Sequence, residues 1–177
     1  MAHAHRTNPV DVGEARAGGL RGGPGRLALL PLRIFLGATF LYAGLQKLTD
    51  PAFLAADGRG SLGALLGQVH GSAALPQLVE LAQRSPVAFG YAIVGGELLV
   101  GIGTLLGLLG RLAALGGALI SLTLWLTVSW PATPYYYGND LAYLMAWTPL
   151  VLAGAPAFSL DAALANRRRR HGTRLYG

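Results

Sequence analysis

The sequence predicts an all-α membrane protein: a four-transmembrane-helix bundle with short interfacial helices in its first outer loop. Three observations predict it. Residues of the class AVILMFWYC make up 53% of the 177-residue chain and DEKR only 12%, about half the charged share of an average globular protein. Mean hydropathy is +0.45. Four stretches reach the ~20 apolar residues that a helix needs to cross a bilayer. A soluble domain of 18.4 kDa must cover its surface, and fourteen basic with eight acidic side chains are few for that. This composition excludes a disordered chain and an ordinary cytosolic enzyme. The absence of cysteine excludes a disulfide scaffold, a CxxC redox pair and a thiolate metal site.

Residues 1–25 are rich in Gly, Ala and Arg without hydrophobic period, and predict a disordered cytoplasmic tail. They lack the apolar core and cleavage pattern of a signal peptide. The membrane domain is expected over 26–160, with spans at about 27–46, 87–109, 112–130 and 140–158. Pro86 precedes the second span, Pro131 ends the third, and Pro149 predicts a kink in the fourth. Gly110 and Arg111 alone separate spans two and three, which predicts a tight helical hairpin. Between Leu48 and Ser85, Leu62, Leu65, Leu66 and Val69 fall at helical spacing, as do Leu75, Leu78, Val79 and Ala82. One or two short helices on the membrane surface follow from that pattern. Residues 161–177 form a basic cytoplasmic tail.

Lys and Arg orient the bundle. Arg6, Arg16, Arg21, Arg26, Arg111, Arg167, Arg168, Arg169, Arg170 and Arg174 fall on one side; Lys47, Arg59 and Arg84 fall on the other. Both termini of a multi-pass membrane protein are therefore expected in the cytoplasm. The +6 net charge is a topology signal in tails that flank apolar segments, and nucleic acid is not an expected partner. His3, His5 and His171 lie in the tails and His70 in a loop, so no metal site is expected inside the bilayer.

Arg33 and Glu97 are charges within otherwise apolar spans, each costing about 2.5–3.5 kcal/mol at mid-membrane. Counted from the cytoplasmic helix ends, Arg33 lies roughly 10 Å deep and Glu97 roughly 18 Å deep at 1.5 Å per residue. Such charges pair or face a wet cavity, and an extended Arg side chain spans much of that difference, so the depths permit a pair. The pair either ties helices together or takes part in transport, proton movement or substrate binding. Arg33, Gly37, Phe40, Gly44 and Lys47 are spaced 4, 3, 4 and 3 and share one helix face. That face is either a packing seam or a polar cleft running from Arg33 outward to Lys47.

Lys47 is the only lysine beside thirteen arginines, which suits either a compact ammonium at a site or a snorkelling interfacial cation. Gln46, Asp50, Asn139 and Asp140 are expected at the same outer level, with Asp50 or Asp140 as partner of Lys47. Gly103 with Gly107, and Ala113 with Gly117, are small-xxx-small contact patterns. Tyr135, Tyr136, Tyr137, Tyr143 and Trp147 are either interfacial belt aromatics or the lining of a quinone pocket. There is no phosphate-binding loop, no HExxH and no supported Ser-His-Asp set.

Several stretches carry a resemblance. They are Arg33-Ile-Phe-Leu-Gly37, Phe40-Leu-Tyr-Ala-Gly44-Leu-Gln-Lys47, Gly96-Glu97 with a Gly-rich half and Arg111, and Tyr137-Gly138-Asn139-Asp140-Leu141. Over about 27–160 the chain resembles the DoxX/DoxD family of small bacterial membrane proteins, more on its DoxD side. The resemblance implies a four-helix membrane bundle and a membrane subunit of thiosulfate:quinone oxidoreductase, acting with a second redox subunit or a soluble redox protein. It implies a bound quinone and no covalent cofactor. Arg33 and Glu97 would then hold helices one and two, while Lys47, Asn139 and Asp140 form an outward mouth for an anionic substrate. A small-molecule transporter using the same cleft, and a membrane scaffold for soluble redox proteins bound through Arg167–Arg170, are the alternative functions. Homo-oligomerisation is left open.

Overall fold

The computed structural model describes residues 27–154, 157–161, 163 and 164. The predicted tail 1–25, most of the basic tail with Arg167–Arg170, and three of the four histidines lie outside the described residues. Among the described residues every regular element is helical. The order is α1 (Leu30–Thr49), α2 (Leu62–Val69), α3 (Pro76–Gln83), α4 (Pro86–Leu106), α5 (Gly110–Thr127), a 3₁₀ turn (Tyr135–Tyr137) and α6 (Asn139–Ala153).

The helix starts follow from side-chain chemistry. Proline opens α3 and α4 and stands in the first turn of α1, where its missing N–H has no carbonyl to meet. Ser61 caps α2, its Oγ accepting from the Ala64 N–H at 3.2 Å. Pro149 is accommodated inside α6. It cannot donate to the carbonyl of Met145, and the Thr148 hydroxyl donates to that oxygen instead, at 2.7 Å.

Helices α4 and α5 are long and apolar enough to cross a membrane. Helix α1 has 20 residues but carries Arg33, Gln46 and Lys47; α6 has 15 residues, about 22 Å at 1.5 Å per residue. The hairpin is three residues, not two. Gly107 ends α4 at φ 63°, Leu108 N–H reaches back to the Gly103 carbonyl at 2.9 Å, and Arg111 belongs to the first turn of α5. This closure satisfies the last carbonyls of α4, and glycine takes the left-handed conformation without a Cβ clash.

Helix α1 packs along α4 and α5 along α6; α4 meets α5, and α1 touches α6 more lightly. One core joins all four, with Leu36 and Phe40 from α1, Val100 from α4, Ala114 from α5, and Trp147 and Leu150 from α6. Small residues set the spacing. A Cβ on Gly101 would lie 2.6 Å from the Leu41 backbone nitrogen, so α4 and α1 touch backbone to backbone. A Cβ on Gly117 would run into the Trp147 indole. The outer faces are left apolar: Leu99 and Leu152 are 75% and 76% exposed.

The connection from α1 to α4 is a second small core. Leu62, Leu66 and Val69 of α2 pack on Val79 and Ala82 of α3, with Phe53 and Phe89 against them. Backbone N–H groups of Ala74 and Leu75 donate to the Leu126 carbonyl in the last turn of α5. The two short helices expected from the leucine spacing thus form a lid over one end of the bundle.

Candidate functional site

The charged residues of α1 point to opposite ends of the bundle. Gly44 is level with Glu97 and Leu98 of α4, while Gly37 is level with Gly101 and Leu105. Lys47 stands one turn beyond Gly44. Helical side chains lean toward their own N-terminus, and Gly44 lets α4 bring Glu97 close to α1. The Lys47 ammonium therefore reaches back to Glu97 and donates to Oε1 at 2.8 Å and Oε2 at 2.9 Å. Glu97 is 3% exposed and Lys47 24%. Removing one member of such a buried pair costs about 3–5 kcal/mol, because the other charge is stranded.

The Arg33–Glu97 pair that the depths permit does not form. Arg33 lies eleven residues from Gly44, roughly 16 Å along the axis. Its guanidinium donates instead to the carbonyls of Ala157 at 2.6 Å and Phe158 at 2.8 Å, on the segment that follows α6. That segment also carries Asp161, whose carboxylate accepts from the backbone N–H groups of Leu109 and Gly110 at 2.9 Å each. Both are unpaired donors at the start of α5, where the helix dipole favours an anion. Arg33 and Asp161 together close the hairpin end of the bundle. Asp161 was not among the expected site residues; the available signal was that it is the one acidic side chain after Asp140.

Among the described residues, α4 fills the glycine face of α1 between the two ends, as Gly37 against Leu105 and Gly44 against Leu98 show. The stripe is a packing seam with a polar cluster at each end.

At the lid end, Lys47 pairs with neither Asp50 nor Asp140. Asp50 accepts from the Ala52 N–H at 2.9 Å. Asp140, in the first turn of α6, accepts a hydrogen bond from Ser129. Gly138 makes this approach possible, since a Cβ there would lie 3.0 Å from the Ser129 Cβ. Lys47 interacts electrostatically with both Glu97 and Asp140. Lys47 and Asp140 both face the same cavity, with Glu97 bonded directly to the ammonium. Gln46 and Asn139 are exposed.

Beneath the lid is a cavity of about 190 Å³. Its walls are apolar, from Leu62, Leu66 and Val79 of the lid to Phe89 and Ile93 of α4, with Leu124 of α5. Lys47 and Asp140 reach it from the bundle side. A cavity of ~150 Å³ accepts benzene, so this one has room for a single substituted ring. The predicted aromatics do not line it. Tyr135, Tyr136 and Tyr137 are 65–70% exposed and meet one another edge-on. Tyr143 packs on Phe35 and Phe40, and Trp147 is fully buried with its ring 5.0 Å from that of Phe40. The cavity's aromatic residues are instead Phe53 and Phe89.

No curated protein and no solved structure matches the chain. A family model described as "TQO small subunit DoxD" matches residues 28–174, a stretch that holds both polar clusters, the lid and the hairpin. The chain belongs to the DoxD family.

Proposed function

We propose that the chain is the integral membrane subunit of a quinone-linked oxidoreductase, with thiosulfate as the reductant and a partner chain that oxidises it. The observation that carries this reading is the apolar cavity under the lid, with Lys47 and Asp140 on its inner wall. Its volume and lining suit an uncharged ring, and its charged wall suits the ring's two carbonyl oxygens. In this reading α1, α4, α5 and α6 all cross the bilayer. The exposed Leu99, Leu119 and Leu152 face lipid, and both termini are cytoplasmic by the Arg distribution. The lid and the tyrosine turn face outward.

A quinone takes up two electrons and two protons on reduction. The Lys47 ammonium, held in place by Glu97, donates a hydrogen bond to a carbonyl oxygen in the cavity and stabilises the negative charge that grows there. Asp140, oriented by the hydrogen bond from Ser129, would hand one of the two protons to the ring, and the second would come from water at the outer face. Phe89, Leu62 and Leu66 exclude water, which strengthens both interactions. The electrons would come from the partner chain that oxidises thiosulfate. Thiosulfate is accordingly assigned to the partner chain, and the Lys47 cluster to the ring.

The test is thiosulfate-dependent quinone reduction by the complex purified from native membranes, with Lys47→Ala and Asp140→Asn beside wild type. Activity in wild type that falls in both variants supports the reading. A folded complex that reduces no quinone with thiosulfate overturns it.

A further inference from the structure

Helices α4 and α5 are in close contact from the hairpin to the level of Gly96 and Ile120. A Cβ on Gly103 would lie 3.2 Å from the Ala113 Cβ, one on Gly116 3.0 Å from Val100 Cγ2, and one on Gly96 3.3 Å from Ile120 Cδ1. These pairs step along one antiparallel register. Its next levels are Ile93 with Thr123 and Phe89 with Thr127. There the seam opens into an outward-facing apolar groove of about 240 Å³, floored by Gly96 and Ile120 and flanked by Ala92 and Leu119. Phe89, Ile93, Thr123 and Leu124 line both this groove and the cavity beneath the lid. The two spaces are neighbours across a single layer of side chains.

We propose that this groove seats the isoprenoid tail of the ligand whose ring occupies the cavity, that the ligand arrives sideways from the lipid between α4 and α5, and that Gly96 is the residue selecting for a tail. The proposal rests on the cavity being a quinone-ring site. A space of about 190 Å³ holds a ring and not a long hydrocarbon chain as well. The tail must therefore leave the cavity. Inward stand the charged Lys47 and Glu97, and over the top stands the packed core of α2 and α3. Thr127, Val128 and Asp140 close the α5–α6 side with polar groups, whereas the wall shared with the groove is mostly apolar and leads into a mostly apolar space, as a hydrocarbon requires. From Gly96 to Phe89 the groove runs roughly 10 Å along α4, which covers about two isoprene units. A side chain at position 96 would occupy their path, whereas a Cβ on Gly95 meets nothing within 4 Å.

The experiment compares a long-tailed quinone with a tail-less ring of the same redox class, in the purified complex carrying Gly96→Leu or Gly95→Leu. Gly96→Leu should raise KM for the long-tailed quinone about tenfold, the effect of displacing roughly two methylene groups. It should leave the tail-less ring within about twofold, and Gly95→Leu should leave both quinones unchanged. In wild type, a long-tailed quinone with a photoreactive group on its tail should label peptides from residues 92–96 or 119–124; this arm does not depend on a variant folding. Equal loss for both quinones, no loss for either, or labelling confined to α6 or the lid overturns the tail seat. Labelling that excess phospholipid abolishes, while KM is unmoved, assigns the groove to a membrane acyl chain and overturns it too. A wild-type complex that reduces neither quinone removes the ring site itself, whereas a failure confined to the tail leaves the ring site standing.

Discussion

Replacing Lys47 by Met takes the ammonium from two oxygens at 2.8 and 2.9 Å and leaves the Glu97 carboxylate, 3% exposed, without its cation. Methionine keeps the stem volume, so the loss is electrostatic. A stranded buried charge costs about 3–5 kcal/mol. Glu97→Gln is milder. Lys47 is 24% exposed and can turn outward, so only the charge-assisted bonds are lost, about 1.5–3 kcal/mol. The double variant has neither charge and should be close to Glu97→Gln alone. Unfolding of the purified protein in one detergent, followed for wild type, both singles and the double, gives the coupling directly. With the double equal to Glu97→Gln alone, the coupling equals the Lys47→Met loss, about 3–5 kcal/mol, at or above the top of the range for residues in contact. A double variant whose loss equals the sum of the singles would refute the pair. The same cycle with Asp140→Asn should show weaker coupling, because Ser129 already serves Asp140.

At the other end, Arg33→Met removes two bonds to the carbonyls of Ala157 and Phe158, and Asp161→Ala removes a helix cap worth about 0.5–2 kcal/mol. Both should speed amide hydrogen exchange at Leu109 and Gly110, and unchanged exchange would argue against the closure. Gly101→Leu drives a side chain into the Leu41 backbone and should sharply reduce the yield of monodisperse protein, while Gly95→Ala leaves it unchanged. A normal yield from Gly101→Leu would place α1 and α4 farther apart than described. Thr148→Val strands the Met145 carbonyl and should lower stability by about 1 kcal/mol; an equally stable variant would show that oxygen to be served otherwise.

Residue types and their spacing were enough to place the helices. Each predicted span falls within a few residues of α1, α4, α5 or the start of α6, and the leucine periods in the first loop mark α2 and α3. Helical period also identified the face of α1 that carries Arg33, both glycines and Lys47, because a repeat of 3.6 residues fixes direction around the axis. It says nothing about position along a neighbour's axis. That register is set where backbones touch, and Gly101 against Leu41 sets it here. Sliding α1 by two or three turns would bring Arg33 to Glu97 without changing any residue's face, so depth arithmetic alone permitted the wrong cation. The cavity is a product of the same contacts. Its lid, its Lys47 and its Asp140 come from segments up to 93 positions apart in the chain. Their meeting depends on how α2 and α3 fold back over the mouth, a long-range packing choice to which local periodicity is blind.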